Sequence, residues 1–139
     1  MSELNTSLLL ENKNISRFEI TANITCIRFL DQNKERFELE FNLEKGTSFN
    51  TFLIKNNEKL FIIHPPEKGY SNEINKIISI FLDQYNLKEI NVITGHINPQ
   101  IIETIKKITT QFGNVTIICS NPGLKLISEL WNQKKPDSK

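Results

Sequence analysis

The stretch NVITGHINPQ, residues 91–100, passes from strand chemistry to helix chemistry within one short loop. Ile90, Val92 and Ile93 make a short apolar strand that ends at Thr94 and Gly95. Asn98 and Pro99 then open a helix, with Asn as N-cap and Pro at the first helical position, where its missing N–H is not needed. The helix itself is read from the stripe Ile101, Ile102, Ile105, Ile108 and Phe112. Gly113 and Asn114 stop it.

The same grammar extends in both directions. Residues 115–119 form another apolar strand, and Ser120, Asn121 and Pro122 repeat the cap-plus-proline start, with the cap assigned to Asn121. A third helix runs to about Trp131. Upstream, Ile74, Ile77, Ile78, Phe81, Leu82 and Tyr85 share one helical face, with Ser71 as predicted N-cap and Glu73 placed well for the helix dipole. Strands alternating with helices imply parallel strands and right-handed crossovers. Residues 18–64 differ. Residues 23–29 alternate apolar and polar, and Phe37, Leu39, Phe41 and Leu43 alternate with Glu38, Glu40, Asn42 and Glu44, which predicts one half-exposed strand. Strands at 49–54 and 60–63 follow, turned at Asn56 and Asn57. The predicted fold is therefore α/β with a mixed sheet: an antiparallel meander, then β-α-β-α-β-α units. Residues 1–15 read as a loose arm, 16–131 as the folded unit and 132–139 as a polar tail.

With 139 residues there is room for one domain. The formal net charge of +1, with no basic block, argues against nucleic acid. The run Leu8, Leu9, Leu10 is too short for a signal segment, and no apolar run reaches membrane-spanning length. Cys26 and Cys119 lie in strand-like runs and read as buried reduced thiols. A cytoplasmic protein is expected.

In such sheets ligands bind beyond the carboxyl ends of the strands. Three loops leave those ends, carrying His64 with Pro65 and Pro66, then Gly95, His96 and Asn98, then Ser120 and Asn121. If the strands are neighbours, both histidines of the chain lie on one rim. A metal site needs three or four N, O or S ligands. Here His64 and His96 are the candidate ligands, with Asn98, Ser120 and Asn121 as weak partners and no Asp in the loops. The reading is that no metal is held and no catalytic residue is present. No phosphate loop occurs. No Ser/His/Asp triad assembles, because Asp31, Asp83 and Asp137 fall away from the rim by pattern. The acidic face Glu38, Glu40 and Glu44 reads as solvated rather than as a partner surface.

At this point the residues resemble a known family. The run 36–54, RFELEFNLEKGTSFNTFLI, follows the pattern R-F-x-x-E-x-x-L-x-x-G-T-T/S-x-N-x-Y/F-L-I, which opens the metallo-β-lactamase-like module of flavodiiron proteins. It is most similar to the cyanobacterial diflavin flavoprotein type. Residues 62–66, IIHPP, resemble that family's L-I/V-D-P-P strand end. Residues 95–99, GHINP, and 118–123, ICSNPG, resemble further segments in the same order. The resemblance covers about residues 18–131. It implies the first half of an αββα sandwich. It also implies relatives that carry FMN and iron and pass electrons from NAD(P)H to oxygen. The departures bear on function. The family's iron loop, H-x-E-x-D-H, stands here as GHINPQ, without the Glu, the Asp or the second His. The usual Asp of the preceding strand end is His64.

The rim formed by His64, Gly95, His96, Asn98, Ser120 and Asn121 thus resembles a metal loop emptied of its ligands. The chain is expected to be a non-catalytic half-module that binds no cofactor. A half-module leaves an apolar sheet face open, so it is expected to form a homodimer or to dock onto a related flavoprotein. The alternative is a minimal metalloenzyme whose site is shared across a dimer through His64 and His96.

Overall fold

A computed structural model describes residues 14–31, 36–37, 41–42, 47–95 and 97–133. Six strands form one mixed sheet: β1 (Ile15–Glu19), β2 (Ile24–Asp31), β5 (Thr47–Asn56), β6 (Lys59–Ile63), β7 (Glu89–Ile93) and β8 (Val115–Ile118). They lie in that spatial order. β1, β2, β5 and β6 pair antiparallel, and β6, β7 and β8 pair parallel. β3 (Arg36–Phe37) and β4 (Phe41–Asn42) make a separate two-stranded pair. The predicted meander and parallel β-α units are both present.

The helices are α1 (Ser71–Tyr85), α2 (Pro99–Phe112) and α3 (Asn121–Gln133). Their apolar stripes pack on one face of the sheet. Ile74, Ile77, Ile78 and Phe81 of α1, with Ile101, Ile105 and Ile108 of α2, meet Ile27, Phe29, Leu53, Leu60, Ile62, Ile90 and Val92. Trp131 of α3 packs at the margin of this core. Aromatic side chains hold two cations over the edge, Arg17 above Phe81 at 5.3 Å and Lys55 above Tyr85 at 3.4 Å.

The opposite face follows from the same alternation, since neighbours along a strand point to opposite sides. Phe18, Cys26, Phe52, Ile63, Ile93 and Ile118 stand in register across all six strands. None of the three helices covers them. The outer members are open, Phe18 at 45% and Ile118 at 42% exposure, while Cys26 is buried and Phe52, Ile63 and Ile93 are partly buried. Ile54 and Phe61 extend the band by a second row.

Several local expectations shift. β1 begins at Ile15, which is buried, rather than near Phe18. The alternating run 37–43 is not one strand, because Phe37 pairs antiparallel with Phe41 and the chain reverses between them. Period-two alternation does not distinguish one strand from two short arms. The face assigned to Glu38, Glu40 and Glu44 lies outside the described residues. So do residues 1–13 of the expected arm and residues 134–139 of the tail. Ser71 is the first helical residue rather than the cap. It is buried, follows a 3-10 turn at Lys68–Tyr70, and Tyr70 takes the N-cap position without a side-chain cap. The Tyr70 hydroxyl instead donates to the Leu30 carbonyl, and its ring packs on Phe29 at 4.9 Å. α1 ends at Asn86 in the left-handed region, and α2 ends at Gly113 with φ 80°.

The adjacent residues Ile62 and Ile63 separate the two faces experimentally. Ile62→Ala opens a cavity in a sealed core and is expected to cost about 2–5 kcal/mol. Ile63→Ala on the open face of the monomer is expected to cost clearly less. Urea unfolding of both variants at low protein concentration checks this; equal losses would contradict the two-face assignment.

Candidate strand-end site

The rim is built as an extension of the parallel ladder. The His64 N–H donates to the Ile93 carbonyl at 3.0 Å, and the Thr94 N–H donates to the Ile118 carbonyl at 3.2 Å. His64 is exposed and adopts φ 62°, a left-handed conformation uncommon for non-glycine residues but enriched in Asn, Asp and His. Its carbonyl accepts a 2.7 Å hydrogen bond from the hydroxyl of Thr51, a fully buried side chain of β5. The turn that presents His64 is therefore held from three strands. Asp, Asn and His share the tolerance of that backbone, so a histidine can stand at the strand end without rebuilding it.

The next two loops are fixed by caps. Asn98 Oδ1 accepts from the Ile101 N–H at 2.9 Å, as predicted. At α3 the cap falls one residue earlier than predicted: Ser120 Oγ accepts from the Gly123 N–H at 3.2 Å, and Asn121 is the first helical residue. Gly123 sits where a Cβ would lie 2.9 Å from Ile97 Cδ1 and 3.3 Å from Cys119 Sγ. This close approach seats Ile97 against the start of α3. Cys119 is half-buried just beyond β8 rather than inside it, and burial pushes its thiol upward. Cys26, buried on the open sheet face, is pushed up by burial and partly offset by Arg28.

Of the predicted rim, the structure brings together His64, Gly95, Asn98, Ser120 and Asn121 at the ends of three neighbouring parallel strands. His96 lies outside the described residues. β2 runs in the same direction as β6, so the β2 terminus reaches the same end of the sheet, five residues beyond the level of Ile63. A cleft of about 430 Å³ adjoins this end, lined by Phe49, Glu67, Lys68, Tyr70 and Gln100.

Chemically, the described rim is occupied with its own backbone. Asn98 and Ser120 spend an oxygen each on a helix cap. Among the described residues no group of three His, Cys, Asp or Glu side chains converges. Loop 94–100 offers Asn98 and Gln100 but no carboxylate. These donors do not fit a diiron centre, which needs carboxylate and imidazole ligands together. Sequence reasoning missed Thr51 and the Cys119–Gly123–Ile97 contact. Alternation places Thr51 on the core side with Phe49 and Leu53, but nothing along the chain gives its hydroxyl's partner.

The arrangement is that of a metallo-β-lactamase-like layer, a mixed sheet with helices on one face and a strand-end rim. A mono-zinc metallo-β-lactamase of Pseudomonas aeruginosa shares the fold with a TM-score of 0.57 and 8% identity; the chain covers 46% of it and 84% of the chain is matched. A metal-soaked flavodiiron core of Synechocystis sp. superposes with a TM-score of 0.72 and 28% identity over 86% of this chain and 29% of that one. Diflavin flavoprotein A 6 of Nostoc sp. is 35% identical over 116 residues, 80% of this chain and 19% of its own length. No family model matches the chain. The chain is thus similar, over most of its own length, to diflavin flavoproteins and flavodiiron cores. It spans about a fifth of the length of the curated relatives it matches. Among the described residues no helix is long and apolar enough to cross a membrane.

Two outcomes are expected. Thr51→Val keeps the shape but removes the bond to His64, and is expected to lower stability by about 1–2 kcal/mol in urea unfolding. An unchanged midpoint would show that the bond is not holding the turn. The raised thiols give a pH dependence. The unfolded chain loses its thiol protons near the ordinary value of 9.0, below the folded values. It then binds fewer protons than the native state, so stability is full below that value and falls as pH rises through the folded pKa. The drop in urea midpoint between about pH 8 and about pH 10 is expected to shrink in a Cys26→Ala, Cys119→Ala double variant. An identical drop would rule the thiols out as its source.

Proposed function

We propose that this chain is a non-catalytic association module of the flavodiiron family. The observation that carries the reading is the apolar row from Phe18 to Ile118 on the sheet face away from the described helices. Its outer members Phe18 and Ile118 are exposed, and apolar side chains grouped on one face support an interaction surface. The rim supports the same reading, because Asn98 and Ser120 each commit a side-chain oxygen to a helix cap. The relatives are named as flavoproteins and flavodiiron cores. Among the described residues no group of three His, Cys, Asp or Glu side chains converges, and on this reading the chain's contribution is structural. The reading places the chain in the cytoplasm, where the free thiols Cys26 and Cys119 stay reduced.

The test has two parts. After incubation with ferrous iron and with zinc and then desalting, the protein is expected to retain well under one metal per chain by elemental analysis. Stoichiometric metal would overturn the reading in favour of a site shared between two copies through His64 and His96. In sedimentation, the chain is expected to run heavier than 16.1 kDa, either alone or mixed with an intact diflavin flavoprotein. A strict monomer in both settings would falsify the association role.

A further inference from the structure

No further inference is drawn: the strongest candidate, the apolar sheet face whose row runs from Phe18 to Ile118 on the side away from the described helices, carries nothing beyond the association reading because nothing in the structure shows what covers it.

Discussion

Everything in this molecule follows from a sheet with two apolar faces and helices for only one of them. β6 and β7 show it within a few residues: Leu60, Ile62, Ile90 and Val92 are sealed under α1 and α2, while Phe61, Ile63 and Ile93 point the other way. Half-exposed antiparallel sheets normally answer this with polar residues on the outer face. Here the alternation is apolar against apolar through the middle of the sheet. Strands of that composition belong inside a sandwich, and the fold neighbours contain about twice this chain or more.

The strand-end rim is held by its own backbone and short polar side chains. The main chain at His64 is held by the ladder bond to Ile93 and the hydroxyl of Thr51. The loops before α2 and α3 are fixed by Asn98 and Ser120. These devices depend on backbone groups and short polar side chains, none of which needs a metal. The turn can therefore keep its shape with a histidine at position 64 and no carboxylate in loop 94–100.

Much of this was legible along the chain because local chemistry acts locally. The α1 and α2 stripes have helical spacing, the Asn98–Pro99 start is self-contained, and Gly113 supplies the positive φ that ends α2. The long run 36–54 carried the resemblance. The failures came where a local signal fits two structures. Phe37 to Leu43 alternates like one strand, but pairing of Phe37 with Phe41 folds it back. Ser71 and Asn121 are good cap residues by type. A preceding 3-10 turn and a neighbouring serine put both inside their helices instead.

The sequence by itself determined the order of elements, the mixed sheet and the lack of a carboxylate in loop 94–100, because each is written in residue type and spacing. Only the tertiary structure decided which side chains share a face and which rim groups are already bonded. The row from Phe18 to Ile118 joins residues up to a hundred positions apart, and strand register alone brings them level. Register is realised by pairing between distant segments, and a slip of one residue would carry the whole row to the other face.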